Sequence, residues 1–168
     1  MIYHFEGDDM KVSTRGRYGL RAMVDIAARM DKLDETGCVN LRTIAASQGI
    51  SENYLGQLVI NLKKAELITS VRGAKGGYVL SRPASEITTW DILTALEGDM
   101  SPVSCANSVD GVVCSGEGCD SNCAIRPVWF RFHQRVREEA ESITLQELVD
   151  GYRERVAGNG NGNGETKA

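Results

Sequence analysis

Residues 41–82 read LRTIAASQGISENYLGQLVINLKKAELITSVRGAKGGYVLSR, and the fold class follows from how this stretch is punctuated. LRTIAASQ, opened by Asn40 or Leu41, predicts a short helix with Leu41, Ile44 and Ala45 facing inward. Gly49 supplies a left-handed turn, Ile50 packs into the corner, and Ser51 caps the next helix. That second helix, ENYLGQLVINLKKAEL, places Leu55, Leu58, Val59 and Leu62 on a core stripe. Glu52, Asn53, Gln57, Asn61 and Lys64 occupy the opposite face. Short helix, glycine turn and second helix follow in the order that lays a recognition helix in the major groove. The helical period alone fits any helical hairpin; the continuation decides. LITSVRGAKGGYVLSR predicts a strand over Ile68 to Val71, a glycine-rich turn, and a strand over Tyr78 to Leu80. A basic hairpin directly after a recognition helix is a wing. The expected fold is mainly α with a small β-wing: a winged helix–turn–helix followed by a long dimerisation helix.

Working outward, a first helix is predicted from Thr14 to Met30, with Tyr18, Ala22, Ile26 and Met30 on one face. The loop DKLDETG ends at Gly37. After Pro83, SEITTWDILTALEG predicts an amphipathic helix with Ile87, Trp90, Leu93 and Leu96 together. A long helix should begin near Ala124 or Pro127, since proline is tolerated in a first helical turn. Its apolar stripe, Ile125, Val128, Trp129, Phe132 and Val136, is broad enough to need a partner, either this chain or a second copy. A last helix follows Ile143. The organisation expected is a mobile extension over 1–9, a DNA-binding domain over 10–83, and a linking helix over 84–104. A cysteine-rich loop over 105–123, the dimerisation and C-terminal helices over 124–158, and a disordered tail over 159–168 complete it.

The net charge of −4 looks wrong for a nucleic-acid binder until it is divided along the chain. Residues 10–82 hold 12 Lys/Arg against 6 Asp/Glu, a net of +6, whereas residues 83–168 hold 7 against 14, a net of −7. Residues 1–9 contribute the remaining −3. A basic first half can meet phosphate while an acidic second half repels it. The candidate contacts are Ser51, Asn53, Tyr54 and Gln57 at the start of the second helix, for base edges or nearby backbone. Arg15, Arg17, Arg72 and Lys75 are candidates for phosphate or the minor groove.

Four of the five cysteines fall in CANSVDGVVCSGEGCDSNC, residues 105–123. This segment has too little apolar surface to offset its own ordering entropy. A metal or a disulfide must hold it. With no apolar run of about 18 residues and no secretory h-region near the N-terminus, the expected setting is the reducing cytosol, with no membrane partner. That setting favours a metal over a structural disulfide. Four thiolates suit zinc as well as iron, although zinc ribbons usually present two C-x2-C pairs and this loop has none. Cys38, alone, is expected to be a semi-buried packing residue. No phosphate-binding, flavin or acid–base arrangement appears, and His4 and His133 lie far apart, so an enzyme is not expected.

MKVSTRGRYGLRAM (10–23), SQGISENYLGQL (47–58), VRGAKGGYVLSRP (71–83) and CAIRPVW (123–129) together resemble the IscR/NsrR/CymR, or Rrf-two, family of bacterial regulators. The resemblance implies a homodimeric repressor or activator on palindromic promoter DNA. In many members it also implies three cysteines holding an iron–sulfur cluster whose state controls DNA binding. By position, Cys123 matches the ligand before the dimerisation helix and Cys105 the one that opens the loop, with Cys114 or Cys119 in the middle. The spacing C-x8-C-x4-C-x3-C departs from the commonest pattern and carries one cysteine more. The IscR branch places a histidine ligand where this chain has Arg126, and other relatives use a carboxylate where it has Arg17; neither arginine can ligate. The expectation is that Cys105, Cys114, Cys119 and Cys123 form an all-thiolate site for a [2Fe–2S] or [4Fe–4S] cluster, with zinc as the alternative. CymR-type members lack these cysteines and respond through a protein partner of cysteine biosynthesis.

Overall fold

A computed structural model describes residues 12–30, 37–73, 76–103 and 123–159. The chain runs α1 (Thr14–Met30), α2 (Leu41–Gln48), α3 (Glu52–Lys64), β1 (Ile68–Val71), β2 (Gly77–Leu80), α4 (Thr89–Glu97), α5 (Arg126–Ser142) and α6 (Leu145–Asn159). A single 3-10 turn, Ala84–Glu86, precedes α4. The helix–turn–helix forms as its sequence predicts. Asn40 accepts the Thr43 N–H to start α2, and Gly49, at φ 65°, ends it. Ser51 then accepts the Tyr54 N–H to start α3.

The second helix is shorter than its apolar period suggests: it stops at Lys64 rather than running on through Leu67. Glu66 adopts a left-handed φ of 56°. Its N–H donates to the Lys63 carbonyl, and the Leu67 N–H donates to the Leu62 carbonyl, each at 3.0 Å. That pattern is a Schellman stop with glutamate where glycine is usual. Leu67 and Ile68 are thereby turned into the core.

β1 and β2 pair antiparallel, with Ile68 opposite Leu80 and Val71 opposite Gly77. Val39 extends this sheet by one residue, exchanging backbone bonds of 2.9 and 2.8 Å with Tyr78. Gly77 permits that approach, because a Cβ there would collide with the Val39 carbonyl. The wing is therefore anchored to the segment leading into α2.

The fourth helix begins at Thr89, later than the apolar pattern predicts. Thr88 and Asp91 form a reciprocal capping box, and Ile87 lies in extended backbone. Ile87 is nonetheless fully buried. Its carbonyl accepts the Leu145 N–H, and the Thr89 N–H donates to the Ile143 carbonyl, both at 2.8 Å. This small bridge pins the α5–α6 junction to the start of α4. The side chains that α4 buries are Ile92, Leu93 and Leu96, with Trp90 half-buried.

One core gathers Met23 and Ile26 of α1, Ile44 of α2, Leu55, Leu58 and Leu62 of α3, and Ile68 of β1. Ile87, Ile92 and Leu96, together with Leu145 and Val149 of α6, belong to the same cluster. The crossing of α1 on α4 is close: a Cβ at Gly19 would collide with Leu96, and one at Gly16 with the Glu97 carboxylate.

Candidate nucleic-acid interface and cysteine segment

At the start of α3, Asn53 and Gln57 are exposed side by side on the face away from the core. The Ser51 hydroxyl is occupied as the helix cap, at 3.2 Å from the Tyr54 nitrogen. Tyr54 is half-buried and meets Tyr18 edge-on, with ring centroids 6.1 Å apart, so it seats α3 against α1. Glu52 lies 3.4 Å from Arg42 across the α2–α3 corner. Arg72 is exposed at the end of β1; Lys75, placed by sequence at the tip of the same hairpin, lies outside the described residues.

Arg15 and Arg17 are exposed in the first turns of α1. Cations at a helix N-terminus oppose the macrodipole, and the first turn carries no acidic residue. Glu97, at the end of α4, compensates. Its Oε1 accepts the Ser13 N–H at 3.0 Å, the Ser13 hydroxyl at 2.7 Å and the Gly16 N–H at 2.8 Å. The two arginines are thus presented from a helix end capped by α4. Sequence reasoning missed Glu97, because its partners stand 81 and 84 residues earlier and no local spacing marks it. It also missed Asp25. This buried carboxylate accepts from Arg29 Nε at 2.6 Å and from the Ser47 hydroxyl, joining α1 to α2 inside the helix–turn–helix.

Of the four proposed ligands, Cys105, Cys114 and Cys119 lie outside the described residues. Cys123 is a free, half-exposed thiol three residues before α5, and its carbonyl accepts the Arg126 N–H at 3.3 Å. Among the described residues no group of three His, Cys, Asp or Glu side chains could hold a metal ion. A half-exposed thiol just ahead of a helix suits a metal ligand, and with the three further cysteines of the preceding sequence it makes up a donor set that iron–sulfur clusters take. Cys38 is buried, at 7% exposure, more deeply than the semi-buried packing position expected of it.

The described residues leave most of the apolar face of the fifth helix uncovered. Ile125, Val128, Trp129 and Phe132 are exposed, the last by 46%. His133, unremarked in the sequence beyond its isolation, is buried with its ring edge-on to Trp90 at 5.7 Å. Arg137 covers the same indole from 5.9 Å. These contacts attach α5 to α4. No helix among the described residues is long and apolar enough to cross a membrane.

A helix–turn–helix with a pinned β-hairpin and exposed basic residues defines a winged-helix DNA-binding protein. Residues 12–151 match the family model described as Rrf2, an iron-dependent transcriptional regulator. The chain is 39% identical over 140 residues to the HTH-type transcriptional regulator CymR of Bacillus subtilis, covering 83% of this chain and 90% of the relative. It is 38% identical over 143 residues to the regulator IscR of Sodalis glossinidius, covering 83% and 79%. Among solved structures, CymR of B. subtilis, the global cysteine regulator, superposes with a TM-score of 0.64 at 39% identity, over 83% of this chain and 96% of that one. IscR of T. potens superposes with a TM-score of 0.65 at 33% identity, over 94% and 93%. The chain belongs to the Rrf2 family of transcriptional regulators. It is a regulator and not an enzyme.

Proposed function

We propose that this chain is a homodimeric regulator whose binding to palindromic promoter DNA is controlled by an iron–sulfur cluster held by Cys105, Cys114, Cys119 and Cys123. The observation that carries the proposal is the pairing of an Rrf2 winged helix with four cysteines in 19 residues immediately ahead of α5. Promoter DNA as the target places its work in the cytoplasm. When bound, the cluster supplies sensitivity to oxidation, nitric oxide or iron supply. The chain's own residues supply the response. Cys123 joins the loop to α5, His133 joins α5 to Trp90 of α4, and Glu97 joins α4 to the end of α1 that bears Arg15 and Arg17. A change in how the loop holds the start of α5 therefore reaches the DNA-facing residues through packed helices. It alters DNA affinity only in so far as the two states of the loop favour different spacings of the two winged helices.

Asn53, Tyr54 and Gln57, with the cap at Ser51, set the base-reading end of α3, while Arg15, Arg17, Arg72 and Lys75 supply affinity through phosphate or the minor groove. The uncovered stripe of α5 supports pairing with a second copy, which two-fold operators require. A second reading is favoured by the 39% identity to CymR: a regulator that answers to another signal, with zinc or nothing in the loop. Iron, acid-labile sulfide and zinc content of protein purified without oxygen separates the two. Near-equal iron and sulfide supports the cluster, and its loss in single Cys→Ala variants identifies the ligands. Full retention without Cys114 or without Cys119 eliminates the four-thiolate site. Stoichiometric zinc with no sulfide favours the second reading.

A further inference from the structure

Ile60 is 49% exposed on a helix whose other large aliphatic side chains, Leu55, Leu58, Val59 and Leu62, are buried. At roughly 100° per residue it falls opposite that stripe, on the face that carries Asn53, Gln57 and Lys64. Gly56 sits one turn before it on the same side. Packing does not demand a glycine there, since an added Cβ would meet only Leu41 Cδ2, at 4.0 Å. Nor does the backbone, because Gly56 is not among the residues with positive φ. Glycine inside a helix is destabilising relative to alanine, so both Gly56 and Ile60 sit against the chain's own folding preferences. Together they form an open notch walled by a β-branched side chain that is stiff at χ1.

Thymine is the base that offers an apolar group, its C5 methyl, to the major groove. We propose that the notch between Gly56 and Ile60 receives a thymine methyl in each operator half-site, which makes Ile60 a specificity-determining residue. Asn53 and Gln57, along one flank of the notch, supply hydrogen bonds to neighbouring base edges, and Ile60 adds the discrimination that hydrogen bonding cannot. The inference rests on α3 being the recognition helix.

The test uses the full chain purified without oxygen and an operator selected from random duplex DNA. Each thymine is then replaced by deoxyuridine, which keeps every hydrogen-bonding group and lacks only the methyl. At one symmetry-related pair of thymines, wild-type affinity falls about fourfold per half-site, or about fifteenfold for the pair. Ile60→Ala binds the thymine and uracil duplexes within about twofold of each other, and Gly56→Ala loses more affinity for thymine than for uracil. Wild-type protein that binds every uracil duplex as tightly as the thymine duplex overturns the proposal. So does full discrimination by Ile60→Ala. The wild-type measurement stands whether or not either variant is well behaved. Loss of the parent reading has a different signature, in which no duplex is selected or Asn53→Ala and Gln57→Ala leave sequence preference untouched; that result overturns both.

Discussion

Replacing Glu97 with alanine removes the acceptor that closes the N-terminus of α1. A single oxygen, Oε1, receives all three hydrogen bonds: two from Ser13, at 3.0 and 2.7 Å, and one from the Gly16 N–H at 2.8 Å. A side-chain cap is worth about 1 kcal/mol. An anion beside a helix N-terminus adds about 0.3–1 kcal/mol. The loss expected for Glu97→Ala is therefore about 2 kcal/mol. In a chain of this size each kcal/mol shifts Tm by roughly 2–4 °C, so melting should fall by about 4–8 °C. Glu97→Gln divides the effect, because its carbonyl oxygen can accept the same three bonds while the charge is gone. Its cost should be about 0.3–1 kcal/mol, or roughly 1–4 °C. Circular dichroism melts at one fixed protein concentration make the comparison, since dimerisation would otherwise move Tm. An alanine variant melting within about 1 °C of the parent would refute the capping argument. A glutamine variant as damaged as alanine would show that charge, rather than hydrogen bonding, holds the helix end.

Other perturbations follow from the same packing. Gly77→Ala forces a methyl group against the Val39 carbonyl, and overpacking of that kind costs about 1–3 kcal/mol; denaturant titration should show the loss, and an unchanged midpoint contradicts the pinned wing. Phe132→Glu leaves the fold within about 0.5 kcal/mol of the parent, because the ring is exposed in the chain. The same variant should weaken self-association by at least about 100-fold. Sedimentation velocity reads this, and a variant that remains dimeric places the interface elsewhere. Arg72→Ala should weaken all duplexes alike and flatten the salt dependence of log K by about 2, one contact from each half of the dimer; an unchanged slope removes Arg72 from the interface.

The helix–turn–helix was legible because its punctuation is local. Asn40, Gly49 and Ser51 each act within a few residues, and Leu55, Leu58, Val59 and Leu62 keep a strict helical period. The end of α3 was not legible, because Glu66 takes the left-handed position that glycine usually marks. Ile87 misled for a different reason: it continues the apolar period of α4 but is buried from extended backbone, through pairing with residues 143–145. Glu97 and Asp25 act through tertiary contacts, so no spacing announces them. The apolar stripe of α5 was readable, yet no described residue covers most of it, and three of the four proposed ligands stand outside the described residues.

If the cysteine segment controls the winged helix, removing its cluster must change how the protein binds its operator. The direct measurement is a titration of one selected operator with protein prepared without oxygen, its iron and sulfide counted, before and after the cluster is removed by a chelator and oxidant. Iron and sulfide are expected in near-equal amounts, and operator affinity should change by at least about tenfold, a coupling of about 1.4 kcal/mol. Identical affinity for the two forms, or zinc in place of iron and sulfide, would contradict it.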